Sequence, residues 1–298
     1  MSTLTSTAVP VEMTATETGF LRRNGPDGAR VAYQTWGRRR PGASCGDVLL
    51  VHGSLQSSKV WSKHGYVAQL AQRYRVITID VRGHGRSDKP EHPAGYDIQA
   101  SVRDVCALLD HLEIAQTHFL GYSLGGRIGL TMAAAAPERL ASLVVAGSSS
   151  RPQCGAVNVV MFPDAIAVTE KWGVEGFVQG WQEHRGTTMG SGFRATVDAL
   201  GARGLVALMR QWDAEPGVAE DVLAQVQTPS LFFAGSRDML RLADSRHAAA
   251  LMPRAYFTLL EGADHGQTIA MRDRILDRAE AFFRLAEFPD IEKLSAVG

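Results

Sequence analysis

The sequence predicts an α/β fold with a mostly parallel, predominantly eight-stranded sheet, helices on both of its faces and a helical cap insertion. Three observations lead to this prediction. Short apolar runs rich in β-branched residues recur along the chain, and amphipathic helical patterns lie between them. This alternation is interrupted once, by a long segment that has no convincing strand pattern. Strands that alternate with helices favour a parallel sheet, because each helix returns the chain to the same edge.

Seven strand patterns are short, are bounded by turn residues and lack a regular polar face. Continuous apolar runs of this kind are typical of strands whose two faces are both covered by helices. We therefore predict strands, mostly buried on both faces, at residues 29–36, 47–53, 75–80, 117–123, 142–147, 230–235 and 255–262.

The clearest helix pattern spans residues 97–112. Val102, Val105 and Leu109 fall on one apolar stripe, and Asp97 is suited to cap the amino end. The spacing therefore predicts an amphipathic helix that begins after Asp97 and packs against the sheet.

The long segment without strands predicts the domain organisation. Residues 148–227 carry three of the five tryptophans together with helical patterns, and the strand pattern resumes afterwards. We predict that they form a helical cap over the carboxyl edge of the sheet, with a small separate helical domain as the alternative. Residues 18–147 and 228–298 would then form the core, and residues 1–17 a flexible N-terminus.

Composition excludes several classes of function. The chain has 31 basic and 31 acidic residues among 298, so neither a nucleic-acid partner nor an anionic membrane surface is expected. Cys45, Cys106 and Cys154 are too few and too widely spaced for a disulfide framework or a metal site. No secretory signal and no stretch of about 18 apolar residues is present. We expect a soluble, cytoplasmic protein without a metal, and the oligomeric state stays open.

The most informative motif is "GYSLGG", in which Gly121 and Gly125 flank Ser123. It follows a buried strand pattern and precedes a helical pattern that Pro137 ends. A serine on so sharp a turn is strained and needs small neighbours, and its hydroxyl stands exposed at a helix N-terminus. A structural turn serine is the alternative. The context favours a nucleophile.

A serine nucleophile needs a histidine to accept its proton and a carboxylate to orient that histidine. Beyond Ser123 the chain has three histidines, and His265 alone follows a strand pattern directly. His184 falls in the predicted cap, and His247 falls in a helical pattern. These positions favour His265 as the base and solvated surface roles for the other two.

Asp238 is the preferred acid because it follows the strand pattern at residues 230–235. Asp264 is an alternative, although sequence neighbours rarely face each other in a loop, and Asp80 is a more remote one. The oxyanion of a tetrahedral intermediate also needs two backbone amide donors. Leu124, directly after the serine, and Ser54, after the buried strand at residues 47–53, are the candidates for the oxyanion hole.

The motifs "VHGS", "DVRGHGRSD", "GYSLGG", "AGSRD" and "GADHG" occur in this order, and with them the chain resembles the α/β-hydrolase fold superfamily over about residues 18–286. The resemblance implies a nucleophile at Ser123, an acid at Asp238, a base at His265, and oxyanion amides at Ser54 and Leu124. The serine at the turn argues against the dehalogenases and epoxide hydrolases of this superfamily, which carry aspartate there.

We predict a cofactor-independent serine hydrolase that cleaves a carboxylic ester or lactone of a small molecule through an acyl-enzyme. A C–C bond hydrolase or lyase on the same triad is the alternative, as is a ligand receptor with little turnover. The fold alone does not distinguish them.

The substrate contacts are predicted from the cap and from the turn. The cap aromatics suggest a partly apolar pocket, with Trp172 and Trp181 as candidate contacts, and plain packing is the alternative. Arg127 makes "GYSLGGR" similar to the corresponding turn of the menaquinone-pathway lyase of the superfamily. It is a third candidate contact, with a solvated arginine as the alternative.

Overall fold

Eight strands form a single sheet in the computed structural model, which describes residues 14–22, 28–39 and 46–286. The strands are β1 (Glu17–Arg22), β2 (Arg30–Trp36), β3 (Asp47–Val51), β4 (Arg75–Ile79), β5 (Thr117–Tyr122), β6 (Leu140–Ala146), β7 (Ser230–Gly235) and β8 (Ala255–Leu260).

Helices connect the strands and cover the sheet. The α-helices are α1 (Lys59–Lys63), α2 (Tyr66–Leu70), α3 (Ile98–His111), α4 (Leu124–Ala135), α5 (Ala156–Val160), α6 (Ala165–Arg185), α7 (Ser191–Ala214), α8 (Glu220–Leu223), α9 (Leu242–Leu251), α10 (His265–Thr268) and α11 (Arg272–Ala286). Short 3₁₀ helices lie at Pro93–Tyr96 and Pro137–Arg139.

The strand order across the sheet is β1-β2-β4-β3-β5-β6-β7-β8. The pairs β1/β2 and β2/β4 are antiparallel, and every other neighbouring pair is parallel. The predicted fold class is therefore confirmed. Because β3, β5, β7 and β8 run in the same direction, the loops that follow them meet at one edge of the sheet.

The edge strand β1 is absent from the seven strand patterns. Residues 1–13 of the predicted flexible N-terminus lie outside the described residues. Its last residue, Glu17, is already the first residue of β1, and the amide of Thr16 donates to the carbonyl of Thr35 at 2.7 Å. The chain is thus paired with β2 from residue 16 onward.

The sheet is covered on both faces, which explains the continuous apolar strands. In β3, Leu49 and Val51 belong to one hydrophobic cluster, whereas Val48 and Leu50 belong to the cluster on the other face. Helix α3 packs on the first of these faces and begins after Asp97, whose carboxylate accepts a hydrogen bond from the amide of Gln99 at 3.3 Å. The predicted helix and its cap are confirmed.

Residues 148–227, all of which the structure describes, contain α5 to α8 and no strand. Helices α5, α6 and α7 build a third hydrophobic cluster, which Leu55 joins from the loop after β3. The two long helices bend at Gly173 and Gly201, which have φ angles of 67° and 63°. A separate apolar cluster that rests on this loop supports our proposal that residues 148–227 are a cap.

Candidate active site

Ser123 occupies a strained turn between β5 and α4. Its φ of 53° and ψ of −111° are rare for a residue with a side chain. Two hydrogen bonds hold this conformation: the Ser123 amide donates to the carbonyl of Ala146 at 2.9 Å, and the hydroxyl of Ser148 donates to the carbonyl of Ser123 at 2.8 Å. Strand β6 and the segment after it therefore fix the turn.

The two glycines of the turn leave no room for a side chain. A Cβ on Gly125 would lie 2.0 Å from the carbonyl oxygen of Val51, at the end of β3. A Cβ on Gly121 would lie 2.3 Å from the backbone of Gly125. The steric reason for glycine at these positions is confirmed, since the start of α4 packs directly on the ends of β3 and β5.

The structure brings Ser123, His265 and Asp238 together in one chain of hydrogen bonds. The Nε2 atom of His265 lies 3.1 Å from Oγ of Ser123, and its Nδ1 atom lies 2.8 Å from Oδ2 of Asp238. Asp238 is only 2% exposed, and its Oδ1 accepts a second hydrogen bond from the amide of Arg241 at 3.1 Å. A neutral imidazole protonated on Nδ1 satisfies this geometry, with Nε2 free to accept the serine proton.

Tyr122, which precedes the serine, contacts His265 through both its hydroxyl and its ring. Its hydroxyl donates to the carbonyl of His265 at 2.8 Å, and the two rings stack with centroids 5.4 Å apart. Burial, together with the nearby Asp238 carboxylate, raises the pKa of Tyr122, so the phenol stays protonated and remains a donor. No sequence pattern indicated a role for Tyr122, although its position before Ser123 in "GYS" places it at the end of β5.

The two alternative acids have other roles. Asp264 caps α10, because its Oδ1 accepts a hydrogen bond from the amide of Gln267 at 2.8 Å. In the reverse direction, the amide of Asp264 donates to Oε1 of Gln267 at 3.1 Å. Asp80 accepts from the amides of Ser58 and Arg86 at 2.7 and 2.9 Å. Burial alone would raise the pKa of Asp80, but these hydrogen bonds outweigh it and lower the pKa. Neither carboxylate bonds to His265.

The other candidate histidines lie away from the serine. His184 is exposed on α6, and Nε2 of His247 bonds to the carboxylate of Glu220 at 2.7 Å. Neither residue lines the cavity around Ser123.

Two buried histidines instead brace the loop after β3. The Nε2 atom of His52 accepts from the amide of Val81 at 3.1 Å, and the Nε2 atom of His84 accepts from the amide of Leu55 at 2.9 Å. Burial lowers the pKa of His52, and burial together with neighbouring His52 lowers that of His84 to about 3. Both rings are therefore neutral acceptors, and they fix the backbone on either side of Ser54.

Ser54 and Leu124, whose amides the sequence suggests as oxyanion donors, both line the cavity that contains Ser123. Among the described residues, neither the Ser54 amide nor the Leu124 amide has an acceptor, whereas the next amide in each segment is bonded. Leu55 donates to His84, and Gly125 donates to the carbonyl of His52 at 3.1 Å. Two unoccupied donors beside a serine hydroxyl can stabilise developing negative charge on a carbonyl oxygen.

A cavity lies between the sheet edge and residues 148–227, and Ser123 lines it. Its apolar wall consists of Val81, Ile98, Leu208 and Trp212. Its charged lining residues are Arg82, Arg127, Glu215 and Arg241. The cavity can therefore hold a small molecule that is apolar over part of its surface.

Arg127 lines this cavity and is not the solvated residue of the alternative interpretation. It is 6% exposed, forms an ion pair with Glu215 and donates to the carbonyl of Ser149 at 2.6 Å. Burial lowers the pKa of Arg127, and the Glu215 carboxylate opposes that effect. The arginine thus joins α4 to the segment before α8.

The two predicted tryptophan contacts do not line the cavity, and this is a correction. Trp172 is 63% exposed, with the ammonium of Lys171 over its ring, and Trp181 packs on Phe193 within the third hydrophobic cluster. Amphipathic packing thus accounts for Trp181. Trp212 lines the cavity instead, because α7 continues past its bend toward the sheet edge.

Within residues 14–22, 28–39 and 46–286, no three His, Cys, Asp or Glu side chains cluster as a metal site would require. Over the same ranges, no helix combines the length and the apolar character that crossing a bilayer requires.

Comparisons with known proteins agree with this architecture. A family model described as alpha/beta hydrolase fold matches residues 47–191. A protein of Pseudomonas savastanoi pv. phaseolicola, named "Putative carbamate hydrolase RutD", is 30% identical over 236 residues, which are 74% of this chain and 87% of that protein. A related protein of the same name from Stutzerimonas stutzeri is 29% identical over 80% of this chain and 91% of its own.

Solved structures show the same relationship. A hydrolase from Pseudomonas aeruginosa PA01 superposes with a TM-score of 0.71 at 27% identity, over 91% of this chain and 99% of its own. The enol-lactonase from Burkholderia xenovorans LB400 superposes with a TM-score of 0.70 at 22% identity, over 89% and 100%, and shows the fold alone. With its sheet order, its strained serine turn and these relatives, the chain belongs to the α/β-hydrolase fold superfamily.

Proposed function

We propose that this hydrolase is a serine enzyme that cleaves a carboxylic ester or lactone of a small molecule through an acyl-enzyme. The observation that carries the proposal is the hydrogen-bonded chain from Asp238 through His265 to Ser123, which ends in a cavity beside two amides without acceptors. Each part has the role that acyl transfer requires: a nucleophile, a base held in one tautomer, and donors for an oxyanion.

The first half of the reaction acylates the serine. As Oγ of Ser123 attacks the carbonyl carbon, Nε2 of His265 takes the hydroxyl proton and Asp238 stabilises the resulting imidazolium. The substrate oxygen gains negative charge and accepts from the amides of Ser54 and Leu124. When the tetrahedral intermediate collapses, the imidazolium protonates the leaving alcohol, and the acyl group stays on the serine.

The second half repeats these steps with water. Nε2 of His265 takes a proton from a water molecule, whose oxygen attacks the acyl carbonyl. Collapse of the second intermediate returns the proton to Ser123 and releases the carboxylic acid. For a lactone the alcohol and the acid are one molecule, which leaves the cavity as a hydroxy acid.

The names of the relatives favour a second candidate, the hydrolysis of a carbamate. A carbamate carbonyl is attacked by the same serine, and the relatives from two pseudomonad species carry that name. Hydrolysis of a C–C bond is the third reaction to be tested. We place the protein in the cytoplasm as part of this proposal.

The first experiment is covalent labelling with a fluorophosphonate, read by mass spectrometry of the "GYSLGG" peptide. We expect one adduct on Ser123, none in Ser123→Ala, and full labelling in the matched control Ser54→Ala, which keeps the backbone amide. Turnover of an ester, lactone, carbamate and diketone panel then identifies the bond. Equal labelling of Ser123→Ala and the parent protein contradicts the proposal, as does stoichiometric labelling without turnover of any member of the panel.

A further inference from the structure

Arg241 stands out among the charged residues that line the cavity. It follows Asp238 by three residues in the loop after β7, and its backbone amide holds the Asp238 carboxylate. Among the described residues, its guanidinium has one hydrogen bond, which is weak and 3.5 Å long, to Oε1 of Gln153. Within residues 14–22, 28–39 and 46–286, it forms no ion pair with any carboxylate.

The other two arginines of the cavity each have a carboxylate partner. Arg82 binds Asp104 through Nε at 2.7 Å and Nη2 at 2.9 Å, and Arg127 pairs with Glu215. The protein thus neutralises these two buried guanidinium groups with carboxylates of its own. Arg241 is the exception.

The two carboxylates closest in sequence to Arg241 are already engaged. Asp238 holds His265, and Asp244 pairs with Arg151 at 3.2 Å. Burial lowers the pKa of Arg241, while Asp238 and Asp244 act at a distance to raise it. A partly buried cation without a bonded anion is unfavourable, so a ligand that brings an anion into the cavity would be stabilised there.

We propose that Arg241 binds a carboxylate group of the substrate, so that the preferred substrate is an ester or lactone of a small molecule that also carries a free carboxylate. This inference rests on the proposed function and names its substrate class. One planar guanidinium matches one carboxylate in a bidentate pair. A phosphate dianion would need a second unpaired cation, but Arg127 is already neutralised. The apolar wall with Trp212 then holds the hydrocarbon part.

The kinetic test uses two pairs of esters. One pair places the carboxylate on the acyl side (4-nitrophenyl hemisuccinate against 4-nitrophenyl butyrate), and the other places it on the alcohol side (the acetate of 3-hydroxypropionate against propyl acetate). We expect at least one anionic ester to have a kcat/KM tenfold or more above its neutral partner. That ratio should fall by about tenfold to hundredfold in Arg241→Gln and recover in part in Arg241→Lys.

A matched control separates local recognition from general attraction of anions. Arg246→Gln removes the same charge nearby, from an exposed side chain on α9 that lies over the ring of Phe257 and does not line the cavity. We expect it to keep the anionic preference of the parent enzyme. Equal loss of the ratio in both variants, or no anionic preference in either ester pair, would overturn the inference.

A binding measurement keeps this inference separate from the proposed chemistry. In Ser123→Ala, calorimetry with succinate and glutarate requires no turnover. We expect binding that weakens about tenfold or more when Arg241→Gln is added, and that is unchanged when Arg246→Gln is added. Binding with this pattern in a protein that turns over no ester would leave the anion site standing and the serine mechanism refuted. Turnover of esters without such binding would support the serine mechanism and refute the anion site.

Discussion

Asp238 and His265 are 27 residues apart in the chain, yet Oδ2 of the aspartate lies 2.8 Å from Nδ1 of the histidine. Asp264, the covalent neighbour of His265, instead faces the amide of Gln267. We therefore expect Asp238→Asn to lower kcat on the order of 10⁴-fold, because an amide favours the wrong tautomer of the histidine. Asp264→Asn should lower it by less than about tenfold, since asparagine also caps helices.

Steady-state kinetics on the best ester of the panel measures both variants, with circular dichroism to compare their folding. The opposite ranking would assign the acid to Asp264. Two mild losses would mean that Ser123 and His265 work as a dyad.

Substitution of the glycine after the serine turn should disrupt folding. In Gly125→Ala the new Cβ would lie 2.0 Å from the Val51 carbonyl, and α4 cannot withdraw without breaking its packing on β3 and β5. We expect a loss of about 3 kcal/mol or more in the free energy of unfolding, measured with urea. Gly192→Ala is the control, since no atom lies within 4 Å of its Cβ position, and a helix gains from alanine. Similar stability of the two variants would contradict the packing argument.

The aromatic residues of the proposed cap should divide into two groups. Trp212→Ala opens the cavity wall, so we expect KM to rise at least fivefold for substrates with bulky apolar groups, with a smaller change for short esters. Trp172→Ala removes an exposed ring outside the cavity. It should leave KM within about twofold for both bulky substrates and short esters. Comparable effects of the two substitutions on KM would show that the cavity boundary is wrong.

A buried histidine should make the fold sensitive to acid. His118 stacks on Phe283, its Nδ1 lies 2.8 Å from Oγ of Ser142, and burial lowers its pKa from 6.5 to about 4. The folded state therefore keeps His118 neutral where the unfolded chain is protonated. The stability from this group is complete above pH 6.5 and is lost as the pH falls toward 4, by about 1.4 kcal/mol per pH unit.

Urea unfolding at several pH values measures this slope. His118→Asn keeps a donor near Ser142 and removes the titration, so we expect a shallower decline between pH 6.5 and 4, whatever its stability at pH 7. The remaining slope comes from other groups whose pKa the fold lowers, among them His84 and, near pH 4, Asp80. An unchanged slope would mean that His118 does not contribute.

The sequence predicted those parts of the protein that local chemistry determines. The buried strands carry continuous apolar runs, and the serine turn needs its glycines, so the sheet and Ser123 were found from short segments. The ends of β5, β7 and β8 then placed Ser123, Asp238 and His265 at one edge, because parallel strands share that edge. Strand β1 was missed, since an exposed edge strand with one partner has no apolar run to reveal it.

The cavity contacts depended on long-range packing and were predicted less well. Trp172, Trp181 and Trp212 look alike in the sequence, but the bends at Gly173 and Gly201 decide which ring faces the sheet. The partner of Arg127, Glu215, is 88 residues away in the chain. No local pattern identifies such a pair. Nor does any local pattern show that Arg241 has no carboxylate partner among the described residues.

The contact between Gly125 and the carbonyl of Val51 also restricts how this gene can change. Every codon change that replaces glycine adds a Cβ, so no single-nucleotide step leads from this position to a tolerated residue. In a deep mutational scan selected for folded protein, no variant with another amino acid at position 125 should survive. The exposed loop residue Met239, by contrast, should accept most substitutions, although it adjoins Asp238 in the chain. Exposed positions in the loops at this sheet edge can therefore change, while the turn that holds the serine stays fixed.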